Sequence, residues 1–272
     1  MFSLNIPDAA HIVFAAVAAC AIAGAASAVR ALSLSGAIAA IFVGFVVFGW
    51  GGYPGAAALL LFFGTSSALS RWGKREKAAL TAYEKGDQRD AGQVIANGGV
   101  AVICMAWSVI EPLSAAPVAA LLGAIATANA DTWATEIGTV LGPKGKKKPI
   151  VLATLYDGEP GQSGAVSWQG TLAALAGAAL IAATVPLWSV ATLPDTLIGV
   201  TVGGLAGSLF DSLLGGWLQV QYRDGVTGEL TERETDANGH ENPIERGQTW
   251  INNDAVNFLA TAVGAIIAAM LA

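Results

Sequence analysis

Charge is scarce in this chain, and cysteine and histidine are scarcer: 12% of its 272 residues are Asp, Glu, Lys or Arg, and it holds two cysteines and two histidines. Cys20 and Cys104 both fall in apolar stretches and form no CxxC, so neither a disulfide framework nor a thiolate zinc site is indicated. His11 and His240 stand apart from the other chemistry-bearing residues and are read as incidental. No Gly-x-x-x-x-Gly-Lys-Ser/Thr run occurs, which excludes a Walker A phosphate loop. Basic residues are missing from most of the chain. All fourteen Lys and Arg are confined to Arg30, Arg71 to Arg89, Lys144 to Lys148 and Arg223 to Arg246.

What lies between those stretches is apolar. With 54% hydrophobic residues and 33 glycines, the composition is that of a helical membrane protein. Windows of about 18 to 22 apolar residues cross a hydrocarbon core of about 30 Å. They can be placed near 9–29, 33–50, 54–71, 93–110, 115–135, 168–188, 196–218 and 252–271. The expected fold is all-α: one integral membrane domain over 1–272, a polytopic transmembrane bundle of about eight spans. Abundant Ala, Gly and Ser in the spans let helix backbones approach closely, which is how helices associate in lipid.

The positive-inside rule makes the basic loops cytoplasmic, near 72–92, 139–167 and 219–250. The connections around Gly51 to Tyr53, Glu111 to Ser114 and Pro186 to Asp195, and both termini, then lie outside the cytoplasmic membrane. The first span has no basic residue before it and could pass for a signal peptide; it is read as a retained helix. The net charge of -6 reflects acid concentrated between Asp224 and Glu245, of which Glu229 to Glu245 is read as a solvated loop, and nucleic acid is not an expected partner. A weak internal repeat shows when Ser33 to Ala40 (SLSGAIAA) is laid on Ser167 to Ala174 (SWQGTLAA).

An ionised carboxylate in mid-membrane costs about 2.5 to 3.5 kcal/mol, so each one needs a partner or a function. In this topology Asp131, Glu136, Asp211 and Asp254 all fall toward the cytoplasmic face. Asn97, Asn129, Thr132, Ser208, Ser212, Asn253 and Asn257 accompany them, whereas the outer halves hold little that is comparable. Such a one-sided set argues for an interfacial site rather than a transport path. Asp90, Gln93 and Asn97 fall at i, i+3 and i+7, Thr132 and Glu136 at i and i+4, and Asn253 and Asn257 at i and i+4, each a single helical stripe. The acids call for neutralisers: a hard cation bound through oxygen, and the basic stretch Arg71, Lys74, Arg75, Lys77 and Arg89. The loop at 142–170 adds the three consecutive lysines Lys146 to Lys148 and the turn from Gly158 to Gly164, which could present charge and backbone N–H groups to a polyphosphate. Plainer roles stand beside these. Lys146 to Lys148 suit topology determinants, Asn253 and Asp254 suit a helix cap, and Asn97 suits an interhelical hydrogen bond.

Six ordered motifs carry a resemblance over nearly the whole chain. They are SGAIAA at 35–40, FFGTSSALSRWGKREK at 62–77, QRDAGQVIANGGV at 88–100, NADTWATEIG at 129–138, GSLFDSLLGGWLQ at 207–219 and NNDAVNFLAT at 252–261. Together the chain resembles the integral membrane family long labelled domain of unknown function 92, which includes the plant phytyl-phosphate kinase of the vitamin E pathway. The resemblance implies phosphoryl transfer from a nucleoside triphosphate to an isoprenyl monophosphate such as phytyl or geranylgeranyl phosphate. Asp131-Thr132 with Gly138, followed by Gly161 to Ala174, is also similar to CTP-dependent polyprenol and dolichol kinases, which makes CTP the preferred donor. The acidic loop lacks the cysteines of some relatives.

On that reading Mg2+ is held by Asp131, Asp211, Glu136 and Asp254. Arg71, Lys74, Arg75 and Arg89 meet the lipid phosphate or the donor triphosphate, and Lys146, Gly161, Ser163 and Gly164 the nucleotide. Asn97, Asn253 and Asn257 orient phosphate or metal-bound water, with Thr132, Ser208 and Ser212 among the binding residues. Two rivals remain: a kinase acting on the free isoprenoid alcohol, with Asp131 as base, and a transporter or lipid-translocating protein that uses the carboxylates as an ion relay.

Overall fold

A computed structural model describes residues 7–73, 88–142, 148–188, 193–236 and 238–272, so Lys74, Arg75, Lys77 and Lys146 lie outside the described residues. Helix α1, Ala9–Ala28, opens where the Asp8 carboxylate accepts the His11 N–H at 2.7 Å. Helix α2, Leu34–Arg71, is broken at Gly52, whose φ of 59° only glycine adopts cheaply. Eight residues of unbroken helix would span about 12 Å. A Cβ on Gly55 would nevertheless lie 2.6 Å from the Val47 carbonyl oxygen, so the chain reverses there. Pro54, with no N–H to satisfy, sits at the start of the second arm. The two arms of α2 are the expected spans at 33–50 and 54–71.

Helix α3, Ala91–Ile110, is capped by Asp90, and helix α4, Ala116–Leu141, has Pro117 in its first turn. Helix α5, Trp168–Ala182, is followed by a 3-10 turn at Val185–Trp188; α6, Leu193–Trp217, and α7, Asn253–Leu271, complete the bundle. The echo between 33–40 and 167–174 has a local cause. Ser33 and Ser167 each accept the N–H of the glycine three residues on, Gly36 and Gly170, at 3.1 Å, so the shared octapeptide encodes a shared helix start.

Six segments among the described residues are long and apolar enough to cross a membrane: α1, α2, α3, Trp168–Trp188, α6 and α7. Helix α4 is not one of them, and its position explains why. Residues 117–130 are buried all the way round, and α4 packs against α2, α3, α5, α6 and α7, so it meets protein rather than lipid and tolerates polar groups. Close packing depends on missing side chains. A Cβ on Gly123 or Gly203 would strike the Gly264 carbonyl, and one on Gly264 would strike Thr127 Oγ1, so α4, α6 and α7 touch backbone to backbone.

Outside the bundle, β1 (Ile150–Val151) pairs antiparallel with β2 (Ala165–Val166). Strand β3 (Gln221–Arg223) is central in a sheet of order β4-β3-β5, with β4 at Leu230–Thr231 and β5 at Ile244–Arg246. The acidic segment expected to be a solvated loop is therefore folded. Arg223 donates to both Glu245 oxygens at 3.0 and 2.8 Å and holds that carboxyl below its usual range. Asp224 accepts the Thr227 and Val226 N–H groups at 2.7 and 2.9 Å, and these depress its pKa. Backbone donors at His240 and Asn238 do the same for Asp236. Exposed Trp72, Trp168, Trp217 and Trp250 stand beside the bundle end that carries these strands, as tryptophan does at a membrane interface.

Replacing Gly264 by Val is expected to cost about 3 kcal/mol through overpacking. Thermal unfolding in detergent should show a clear fall in midpoint, whereas Gly24→Ala and Gly64→Ala, where a Cβ meets nothing within 4 Å, should hold or raise it.

Candidate functional site

The strand-bearing end of the bundle encloses a cavity of about 1010 Å3. Its lining draws on every helix except the body of α1. Asp131, Thr132, Thr135, Gly138 and Thr139 come from α4, and Asp211 and Ser212 from α6. Asn253, Asp254 and Asn257 come from α7, Gln93 and Asn97 from α3, and Ser67, Ser70 and Arg71 from the second arm of α2. Arg30 and Arg89 enter from the segments before α2 and α3. Asn97 and Asn257 each donate Nδ2 to the carbonyl four residues back, at 2.8 and 2.9 Å, which ties the amide nitrogen to its own helix and leaves the amide oxygen as the group suited to a cation or a water.

Of the residues proposed from sequence, Asp131, Asp211, Asp254, Asn97, Thr132, Arg71, Arg89, Gly161, Ser163, Gly164, Ser212, Asn253 and Asn257 line this one cavity. Two do not. Glu136 is fully buried behind the wall, where Ser70 Oγ donates to it at 2.6 Å; it ties the end of α2 to α4 rather than lining the cavity. Ser208 is buried and does not line the cavity; its carbonyl accepts from Ser212 Oγ at 3.3 Å, one turn deeper in α6. The expected four-carboxylate metal set is not assembled either: among the described residues no three His, Cys, Asp or Glu side chains converge on one point. Three helices deliver one aspartate each to the cavity instead. Lys148 faces away and pairs with Glu159 at 3.0 Å, an exposed ion pair that raises its pKa.

The loop holding Gly161 to Gly164 is fixed by contact with the end of α6. A Cβ on Gly164, itself at φ 81°, would collide with the Gly216 backbone, so two glycines meet face to face. Ser163 Oγ donates to Gln219 Oε1 at 3.0 Å. From the other side the Arg246 guanidinium donates to the Gly216 and Gly215 carbonyls, at the negative end of the helix. Gln219 is 2% exposed and lines the cavity, and its Nε2 has no hydrogen-bond partner. A buried donor left unpaired costs about 1 to 3 kcal/mol, so this one marks a place for an acceptor. Gln219 closes the motif at 207–219 but was not singled out from sequence, since a lone amide after a helix carries no signal.

Arg30 was also read only as a topology charge. It occupies the left-handed position that ends α1, at φ 58°, with Arg30 N–H on the Ser27 carbonyl at 2.9 Å and Ala31 N–H on the Ala26 carbonyl at 2.8 Å. That helix ending normally takes glycine. An arginine held there at a cost of about 1 kcal/mol, with its side chain on the cavity, argues for a role in the site.

Beneath the floor a polar network braces the walls. Trp133 Nε1 donates to Thr65 Oγ1 at 3.2 Å, Thr65 Oγ1 lies 3.1 Å from Asn129 Oδ1, and Asn129 Nδ2 donates to the Gly177 carbonyl at 2.8 Å. Asn129, fully buried, is thus a brace between α2, α4 and α5.

The class defined by this architecture is a polytopic helical membrane protein with an acid- and arginine-lined cavity at one end of the bundle. Residues 17–265 match the model of the integral membrane protein family DUF92, and the chain belongs to that family. It is 29% identical to Protein PGR of Arabidopsis thaliana over 85% of each chain. It is also 29% identical to an uncharacterized membrane protein of Methanocaldococcus jannaschii, covering 89% of this chain and 86% of the other. Protein VTE6, chloroplastic, of Arabidopsis thaliana is 26% identical over 89% of this chain and 66% of its own length. No solved structure matches the chain.

Arg30→Gly should raise the unfolding free energy in detergent by about 0.5 to 1 kcal/mol, because glycine relieves the left-handed strain. The same variant should bind inorganic pyrophosphate more weakly in isothermal titration; a variant that gains stability without losing pyrophosphate affinity would remove Arg30 from the site.

Proposed function

We propose that the protein is a membrane kinase that transfers the terminal phosphoryl group of a nucleoside triphosphate, CTP by preference, to an isoprenyl monophosphate. The observation that carries the reading is the cavity itself. Three aspartates from three helices and three arginines line one space at the end of a membrane bundle, beside a Gly-Ser loop. The family resemblance to the phytyl-phosphate kinase of vitamin E synthesis supports the same class of acceptor. We place the site on the cytoplasmic face because the basic residues flank it there.

The second pKa of a phosphate monoester is near 6, so the attacking oxygen is already largely ionised at neutral pH and no general base is needed. That oxygen attacks the terminal phosphorus, the bond to the bridging oxygen breaks, and the products are the isoprenyl diphosphate and the nucleoside diphosphate. The protein's part is electrostatic: it brings two polyanions together. Arg71 and Arg89 hold the acceptor phosphate, with Lys74 and Arg75 following Arg71 in sequence. Gly161, Ser163, Gly164, Gln219 and Lys146 hold the nucleotide. The donor set suits Mg2+, being oxygen throughout, and Mg2+ binds through one or two carboxylates plus substrate phosphates rather than through an all-protein cage. Asp131 and Asp211 would hold it, with Asp254, Asn97 and Asn257 orienting its waters; when bound it neutralises charge on the transferred group.

An ion relay would need polar groups across the bilayer. The half of α4 away from the cavity, residues 117–126, is Pro, Val, Ala, Leu, Gly and Ile throughout, which favours the enzyme over the transporter.

Purified protein in detergent, given phytyl or geranylgeranyl phosphate, each nucleoside triphosphate and Mg2+, should form the diphosphate, followed by mass spectrometry. Formation should stop on chelation with EDTA. Asp131→Asn and Asp211→Asn should each lower kcat by about 100-fold or more while keeping the wild-type melting midpoint. No product with any donor overturns the kinase, and phytol outcompeting phytyl phosphate moves the reaction to the free alcohol.

A further inference from the structure

A second, smaller space of about 130 Å3 lies between α1, the two arms of α2 and the start of α3. Its walls are apolar, and they leave a groove because the side chains are small: Ala19 and Ala23 on α1, Ala40 and Gly44 on one arm of α2, Ala56 on the other. Only Arg89, Gln93 and Asn97 among its lining residues are polar. Those three, with Phe62, also line the large cavity, so the two spaces meet at one mouth.

The mouth is built firmly. Arg89 N–H donates to the Ala31 carbonyl at 3.1 Å and the Arg89 carbonyl accepts from Ser33 N–H at 3.0 Å. Its guanidinium stands over the Phe62 and Phe63 rings, 5.7 and 5.8 Å from their centroids. At the opposite end the groove stops at Phe48, which stacks edge-on with His11 and Phe14 at 5.3 and 5.8 Å. From Ala40 to Phe48 the arm rises about 12 Å. The sides are open toward lipid, where Ile22 and Leu60 are 43% and 47% exposed.

We infer that this groove binds the apolar chain of a single-chain isoprenyl phosphate, with Arg89 and Gln93 gripping the phosphate at its mouth. The inference rests on the kinase reading for the identity of the headgroup, and on the geometry for the place of the chain. A narrow apolar slot continuous with an arginine-bearing polar cavity is complementary to an amphiphile with one tail and an anionic head. The open side lets a membrane-dissolved lipid enter without leaving the bilayer. It also sets the geometry of the reaction. The acceptor arrives from the α1, α2 and α3 side, while the Gly161 to Gly164 loop and Gln219 face the cavity from the α6 side, so the two phosphates meet between them over Asp131.

The test uses geranylgeranyl phosphate carrying a terminal diazirine, irradiated with the full chain in nanodiscs and mapped by mass spectrometry. Labels should fall on groove residues such as Ile22, Phe48 and Leu60, and excess unlabelled geranylgeranyl phosphate should remove them. Gly44→Leu fills the slot from a position where a Cβ makes only ordinary contact with Ala19, at 3.6 Å. It should cut labelling and raise KM for geranylgeranyl phosphate by about tenfold, the loss of roughly two buried methylenes, with KM for the nucleotide unchanged. Ala56→Phe, from the facing arm, should do the same. Competed labelling confined to α5, α6 or α7 overturns the groove even if turnover is seen. Competed labelling in the groove without turnover upholds it and counts against the kinase. Dioleoyl phosphatidic acid competing as well as the prenyl phosphate overturns the single-chain assignment.

Discussion

Helix α4 can carry polar groups into the membrane bundle only because its neighbours come close enough to shut out lipid, and that closeness is set by glycine. The contacts of Gly123, Gly203 and Gly264 leave no room for a methyl group between α4, α6 and α7. Backbones so near one another bring the loop-side ends of the same three helices together. Asp131, Asp211 and Asp254, one from each, reach a common space for that reason. A side chain at the seam would separate the helices and the aspartates with them. Packing in the apolar half and chemistry in the polar half are thus one constraint.

Much of this was legible from sequence. Basic residues in four stretches separate the apolar spans, and each of the eight expected segments is helical, including the pair divided by Gly52. Thirteen of the residues proposed for the site line one cavity, and the nine of them on helices do so because polar stripes in a membrane chain must face protein or water. Glu136 misled for an instructive reason. At i+4 from Thr132 it shares that residue's stripe, yet Ser70 from α2 covers it, and which neighbour covers a helix face is not written in the helix. The folded state of the acidic segment was hidden too. Its strands are two or three residues long and are fixed by turns at Asp224 and Asp236, not by any alternation that could be read along the chain. Arg30 and Gln219 carried no signal because their significance lies in a backbone angle and in an unpaired amide.

Close-packed glycines serve two purposes. Gly123, Gly203 and Gly264 bring helices together, whereas Gly164, Gly215 and Gly216 bring a loop against the end of α6. There the Ser163 to Gln219 hydrogen bond and the Arg246 donors fasten the loop from both sides. The sheet of β3, β4 and β5 supplies Arg246, which gives the folded acidic segment a structural purpose: it clamps the helix end against which the glycine loop is set.

Electrostatics around the cavity are divided in a way that suits ligands of both signs. The first turns of α3 and α7 lie beside Asp90 and Asp254, which offset the positive ends of those helices. Helix α5 also begins at the cavity, but no acidic residue stands in its first turn, and the loop of Gly161 to Gly164 adjoins it. Its positive end therefore remains available to an anion on the loop side. Across the space, α4 and α6 bring their negative ends together with Asp131 and Asp211, which favours a cation there. A polyanion on the α5 side, a cation over the two aspartates and a second anion against Arg71 and Arg89 would leave each charge facing its opposite. A transfer of phosphate between two anions requires that alternation, and a relay of a single ion would have no use for it.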